Sequence, residues 1–307
     1  MLYNNLSGYL KRKYGVKVGK ICIDGGFSCP NRDGTLGYGG CVYCGHRGAG
    51  EHIELGRSIT EQVQDGLERG RSEGYIAYFQ SFTNTYAPVP VLRERYNSAL
   101  IDPRILVLAV GTRPDCIDRE RAELLAEISE RTDIWVELGL QTASDKTARL
   151  INRCYPTEAY FRCAELLREY RLPFVTHLIL GLPGEGHDDY MRSVDAVNSS
   201  GGFGVKLHSL YVSRDTALAD MYARGEFTPI TREEYITAAA DSLARLDPGI
   251  VVHRLTGDCP DGMLIAPDWN RDKNQILQGI RDSLASRGLR QGATAQGCRM
   301  KSEADSL

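Results

Sequence analysis

Six short apolar runs, each ending in a polar turn and followed by helical spacing, constrain the fold of this 307-residue chain more than any other feature. They fall at 21–23, 75–79, 105–110, 133–140, 174–180 and 205–212. Most are apolar on both faces rather than alternating, which is the pattern of strands buried in a parallel sheet. Between them, Ser58-Ile-Thr-Glu61 reads as a capping box, and Ile59, Val63 and Leu67 continue at helical spacing. Further helices are predicted around Leu92 and Tyr96, around Leu124, Leu125 and Ile128, and over 145–152, 157–170, 190–197 and 231–246. The last of these stops at Asp247-Pro248-Gly249. Strands and helices in alternation make an α/β fold. About six βα units over residues 20–246 give a partial (βα)6 TIM-like barrel, short of the eight of a full one.

The flanks divide off from that barrel. Residues 1–20 form a basic segment with Lys11, Arg12, Lys13, Lys17 and Lys20 and no acid. Such a run is usually a solvated face; a phosphate-contacting arm is the functional alternative. Residues 247–290 form a small C-terminal extension with a short strand at 250–256 and a helix at 273–286. The polar, glycine-containing chain beyond Gly288 is expected to fray, and 291–307 to be a disordered tail. A net charge of −3 argues against a globally basic nucleic-acid binder. No apolar run approaches the roughly 18 residues of a membrane span. The first residues lack the charged-then-apolar order of a secretory signal. The expected setting is the cytoplasm, with no membrane partner.

In folds of this class the loops after the strands' C-terminal ends carry the chemistry. Those loops hold Gln80-Ser81, Thr112-Arg113, Gln141, residues 181–185 and, after the first strand, a cysteine cluster. Cys29, Cys41 and Cys44 are spaced C-x11-C-x2-C, with Gly34, Gly37, Gly39 and Gly40 in the long arm. Nine cysteines in a reducing compartment read as metal ligands or buried thiols rather than disulfides. A structural zinc site closes four ligands, and His46 is the candidate fourth. A four-cysteine iron–sulfur cluster would have to recruit Cys22 from the strand. An open [4Fe–4S] cluster uses three cysteines and leaves one iron free. Unligated loop thiols are the plain alternative.

The motifs extend beyond the cysteines. Lys17-Val-Gly-Lys20, Asp24-Gly-Gly-Phe-Ser-Cys-Pro-Asn-Arg-Asp-Gly34, Gly111-Thr-Arg-Pro-Asp115, Glu137-Leu-Gly-Leu-Gln141 and His253-Arg-Leu-Thr-Gly257 together resemble the radical S-adenosylmethionine (radical SAM) superfamily. Within it the chain is similar to the YhcC-type family of the Elongator catalytic-subunit-like branch, nearly throughout its length. The eleven-residue first gap departs from the C-x3-C-x2-C usual in the superfamily. The resemblance implies a [4Fe–4S] cluster on Cys29, Cys41 and Cys44, with S-adenosylmethionine on the free iron. It also implies an external one-electron donor such as flavodoxin or ferredoxin.

The resemblance further places Tyr43 near the adenine and Gln80 and Ser81 at the methionyl amine and carboxylate. Glu137 and Gln141 fall near the ribose and methionyl group, and Gly181 at the turn beneath the adenine. Arg113 offers a fork for a carboxylate, or a salt bridge to Asp115. Glu137 has a structural alternative as the partner of a core arginine. His177, Lys206 and His208 read as satisfied core residues. Cys22, Cys116, Cys154, Cys163, Cys259 and Cys298 read most simply as small apolar or incidental thiols, with Cys259 the one that has an alternative role as hydrogen donor or persulfide carrier. The branch implies a tRNA substrate, at the wobble uridine. The alternatives are a small metabolite or protein substrate, or a non-catalytic zinc-binding interaction protein.

Overall fold

The computed structural model describes residues 2–48, 50, 53, 56–260 and 262–295, so the expectations for Cys298 and for 296–307 lie outside the described residues. Strands run as β1 (Val18–Ile23), β2 (Gly74–Phe79), β3 (Ile105–Thr112), β4 (Asp133–Gln141), β5 (Phe174–Leu180), β6 (Gly204–Ser209), β7 (Val212–Ser213), β8 (Val251–Arg254) and β9 (Leu264–Ala266). The helices through the first half are α1 (Leu6–Tyr14), α2 (Ile59–Arg69), α3 (Val89–Asn97), α4 (Arg119–Ser129) and α5 (Asp145–Leu150). Those that follow are α6 (Thr157–Glu169), α7 (His187–Ser200), α8 (Ala217–Ala223), α9 (Arg232–Arg245) and α10 (Lys273–Ser286).

Seven strands form one parallel sheet in the order β1-β2-β3-β4-β5-β6-β8, curled into a half-barrel with the helices outside. The α/β partial barrel expected from the sequence is therefore the observed fold. Alternate strand residues on the outer face, such as Phe79, Leu108, Val110, Val136 and Leu138, are wholly buried under the helices. Each large aliphatic removed from water in this way contributes about 1.5–3 kcal/mol. The predicted capping box at Ser58 and Glu61 opens α2, and a second one, at Thr231 and Glu234, opens α9.

Residues 250–256 join the barrel sheet itself, where β8 pairs with β6 and adds the seventh strand. The run 205–212 does not stay in one strand. After Ser209 the chain turns out of the sheet, because Leu210 and Val212 pack into a separate apolar cluster with Ile151, Ile179, Leu182, Leu218, Phe227 and Ala266. Val212 then pairs antiparallel with Ala266 of β9. The expected fraying beyond Gly288 does not begin there. Gln291 is buried, its amide nitrogen donates to the carbonyls of Asp247 and Ile250, and its backbone N–H donates to Leu2.

The basic N-terminal segment is a folded element rather than an arm. Asn5 caps α1, Gly15 ends it in the left-handed conformation, and Leu10 packs on the inner sheet face with Ile76, Val107 and Trp135. Tyr14 and Lys13 are both tied to Asp133, the first residue of β4. The helix thus covers the N-terminal ends of the strands, the end opposite the cysteine loop.

Candidate active site

The cysteine loop leaves β1 and is held in shape by its own residues and by the segment after α5. The Arg32 guanidinium donates to the carbonyls of Cys44 and Gly45 at 2.9 and 2.6 Å, lacing the two ends of the loop together. Gly40 has a positive φ, and a Cβ there would meet the Arg32 Nε at 2.9 Å, so only glycine leaves room for that lacing. Asn31, wholly buried, donates to the Asn152 carbonyl, Asn152 donates to Gly40, and the Val42 N–H donates to Ile151. The Asn31 amide nitrogen also lies 3.9 Å from the Cys41 sulfur.

Cys29, Cys41 and Cys44 line one cavity of about 200 Å3 together with Tyr43, Gln80, Arg113, Glu137 and Gln141. Residues far apart in sequence are brought there because the cysteine loop follows β1, Gln80 and Arg113 directly follow β2 and β3, and Glu137 and Gln141 belong to β4 of the same parallel sheet. Gln141 reaches the cavity by an unusual backbone. Its φ is +67°, a conformation that costs a non-glycine residue about 1–2 kcal/mol, and the β4–β5 register shifts beside it. A Cβ on Gly139 would meet the Gln141 amide at 2.7 Å, so glycine two residues earlier keeps the side chain's place open.

Three of the expected site residues behave differently. Arg113 is buried and committed, donating to both Asp115 oxygens at 3.0 and 2.8 Å and to the Arg153 carbonyl at 3.0 Å, with its guanidinium over the Tyr155 ring. Its fork is closed by the salt bridge. Ser81 is fully buried beneath Gly50 and is absent from the residues lining the cavity. Gly181 lines a separate groove of about 850 Å3 with Pro183, Glu185 and the start of α9. His46 is exposed and also lies outside the cysteine cavity. Among the described residues no three Cys, His, Asp or Glu side chains converge on a single ion.

Among the described residues Glu137 pairs with no arginine. Its carboxylate contacts Lys206 Nζ and accepts from His177 Nε2 at 2.9 Å, with Lys206 almost fully buried and His177 17% exposed. Burial alone would raise the Glu137 carboxyl. The charge of Lys206, the His177 hydrogen bond and Lys20 override it and hold the group well below the usual range. Burial pushes Lys206 down to about 7, opposed by Glu137. Burial, then Lys206, push His177 down to about 4, so its imidazole is neutral near pH 7. His177, Tyr78, Phe82 and Tyr155 line the cavity and were not singled out as site residues from the sequence. Strand alternation was the available signal, since Tyr78 precedes Gln80, and Glu137 precedes Gly139 and Gln141, on one face.

This pair yields a first prediction. Glu137→Gln leaves Lys206 buried without a counter-charge, and loss of one partner of a buried pair costs about 3–5 kcal/mol. For a chain of this size that is a fall in Tm on the order of 10 °C by scanning calorimetry. Adding Lys206→Met should recover much of the loss; a double variant less stable than Glu137→Gln alone would contradict the assignment.

The chain matches the Radical SAM superfamily over residues 29–197 and the Radical_SAM C-terminal domain over 203–286. The chain belongs to the radical SAM superfamily. Its cofactors are accordingly a [4Fe–4S] cluster and S-adenosylmethionine, and it is an enzyme. Protein YhcC of Escherichia coli is 39% identical over 270 residues, covering 87% of each chain. The uncharacterized protein YtqA of Bacillus subtilis is 38% identical over 298 residues, covering 94% of this chain and 92% of YtqA. The tRNA uridine(34) acetyltransferase of Methanocaldococcus infernus is 26% identical over 53% of this chain and only 30% of its own length. Among solved structures, the Methanocaldococcus infernus Elp3 lacking its N-terminus superposes with a TM-score of 0.65 at 16% identity, over 89% of this chain and 64% of that one. At that identity the likeness is one of fold.

The donor set fits the cluster of this superfamily. The three thiols line one cavity, with the Asn31 amide beside one of them. Amide hydrogen bonds to sulfur are one of the levers that set a cluster's potential. No helix among the described residues is long and apolar enough to cross a membrane.

Proposed function

We propose that Cys29, Cys41 and Cys44 ligate the cluster, that S-adenosylmethionine lies in the cavity between them and Gln141, and that the substrate is a tRNA, modified on a wobble-uridine side chain. The observation carrying the first part is that the three cysteines share one cavity with Gln80, Glu137 and Gln141 at the strands' C-terminal ends. When bound, the cluster and an external electron donor of the flavodoxin or ferredoxin class supply an electron that cleaves the sulfonium, giving methionine and a 5′-deoxyadenosyl radical. The protein's part is to bind, orient and exclude water. Gln80 and Gln141 present amides that can meet the methionyl amine and carboxylate. Tyr43, Phe82 and Tyr155 supply apolar walls. Glu137 is held ionised and fixed in place by Lys206 and His177, as an acceptor at the cavity floor.

What supports a tRNA is the similarity to tRNA uridine(34) acetyltransferases over about half of the chain. A second reading, a small metabolite or protein substrate, is favoured by the placement of the basic segment. Its Lys13 is engaged with Asp133, and its helix lies at the end of the barrel away from the cysteines. Anaerobic reconstitution with S-adenosylmethionine and dithionite should give a brown protein that forms 5′-deoxyadenosine, and a colourless zinc protein would overturn the first part. Nucleoside profiling of bulk tRNA from a deletion strain tests the second. An unchanged profile, with no salt-sensitive tRNA affinity, would favour the metabolite or protein substrate.

A further inference from the structure

Beneath the cysteine-lined cavity the inner face of the sheet carries more positive charge than its own acids neutralise. Lys20 projects from β1, Lys206 from β6 and Arg254 from β8. The strand register sets His177 beside Lys206, and Lys206 beside Arg254. Tyr78, which also lines the cavity, has Lys206 Nζ 4.3 Å and Lys20 Nζ 5.2 Å from its ring centre, so the two regions are continuous. Glu137 is the carboxylate within this group, and it is already shared by Lys206 and His177. Lys20 forms no ion pair among the described residues. Arg254 reaches Asp258 only at 3.9 Å, and that carboxylate contacts Lys273 as well. The neighbouring His208 adds no charge, because burial, then His177, depress its imidazole well below the usual value. Its Nε2 is out of contact with solvent and has no hydrogen-bond partner.

Lys206 is buried, Arg254 half-buried and Lys20 exposed at the edge of the group, and a buried cation is costly unless something answers it. We propose that this part of the lumen is a subsite for an oxyanion carried by the substrate. Lys20, Lys206 and Arg254 are its counter-charges, and the unpartnered ring nitrogen of His208 donates it a hydrogen bond. The assignment rests on the radical-enzyme reading in one respect, that the lumen below the cofactor cavity is where the substrate's reacting part lies. It applies to a carboxylate or a phosphoryl group on a nucleoside or a metabolite alike.

Cys22 supplies a reporter that needs no turnover. The residue is exposed and lies on the same strand face two residues beyond Lys20; burial of the sulfur raises the thiol, while the charges of Lys20, Lys206 and Arg254 lower it and Glu137 opposes them. On anaerobically cluster-loaded protein, its reaction with an anionic methanethiosulfonate (the sulfonatoethyl reagent) is compared with that of the cationic trimethylammonium reagent. Modification is assigned by mass spectrometry, with Cys22→Ser as the blank. Relative to free cysteine, the anionic reagent should be favoured by about tenfold at low salt, and less so as ionic strength rises. Lys20→Gln and Arg254→Gln should each move the ratio toward that of free cysteine; if one variant does not fold, the other carries the test. Slowing by acetate beyond equal ionic strength of chloride assigns a carboxylate, and slowing by inorganic phosphate a phosphoryl group. Equal rates with both reagents, or no slowing by either anion, would overturn the subsite. Normal 5′-deoxyadenosine formation alongside such a result would leave the cofactor assignment standing.

Discussion

Cys41→Ala is expected to abolish 5′-deoxyadenosine formation while leaving a folded protein. Cys41 packs under the loop that Arg32, Asn31 and Asn152 hold closed, and none of those contacts except the Asn31 approach uses its sulfur. The backbone of the loop should therefore survive the substitution. On the proposed ligation, what is lost is one of three thiolates, and a cluster already short of a fourth protein ligand has none to spare. Iron after anaerobic reconstitution should fall from about four per chain to well below one, with product at background. Cys29→Ala and Cys44→Ala should behave alike. Cys259→Ala is the informative contrast. Unchanged iron and product would leave that cysteine without a role as hydrogen donor, whereas loss of product with intact iron would give it one. Full iron content in Cys41→Ala would refute the ligand assignment.

The second large effect is acid lability centred on the lumen. Burial, first among the causes in each case, pushes His177 down to about 4 and His253 down to about 3, and takes His208 well below its ordinary value. An unfolded histidine titrates near 6.5, so below that pH the unfolded chain binds protons that the folded chain refuses. Stability then rises with pH throughout the window between the folded and unfolded values, and falls as pH drops from about 6.5 toward 4. Each histidine contributes up to about 1.4 kcal/mol per pH unit within it. Urea midpoints at pH 7 and pH 5 should differ by an amount worth several kcal/mol for the three together. A His253→Asn variant, if folded, should show a shallower slope. A midpoint that is flat across this range would show that the three imidazoles protonate freely in the folded protein.

Legibility of the sequence differed by element for physical reasons. The barrel was visible because parallel strands buried on both faces leave long apolar runs, and because Ser58 with Glu61 is a local signal needing no tertiary context. That Cys29, Cys41, Cys44, Gln80 and Gln141 would come together in one cavity was legible because strand C-terminal ends converge in this architecture. The association of Glu137 with His177 and Lys206 was not, since it depends on the register that pairs His177 with Lys206 across β5 and β6. Arg113 was readable either way, and only its geometry with Asp115 and Tyr155 decided. The segment 1–20 drew notice for its charge, while its structural content lay in Leu6, Tyr9, Leu10 and Tyr14, an apolar stripe too short to stand out. Gln291 looked like tail because nothing local ties it down; its partners are Leu2, Asn4, Asp247 and Ile250, at the other end of the sequence or a helix away.

The position of α1 bears on traffic through the enzyme. With that helix stoppering one end of the half-barrel, a substrate group enters either past the cysteine loop or through the seam between the edge strands β1 and β8. S-adenosylmethionine seated in the cysteine-lined cavity, as proposed, would obstruct the first route. If the seam is too narrow for the substrate, loading is compulsorily ordered, substrate before cofactor, and the spent nucleoside must depart before the modified product can. Product-inhibition patterns with 5′-deoxyadenosine would then reveal which doorway the protein uses.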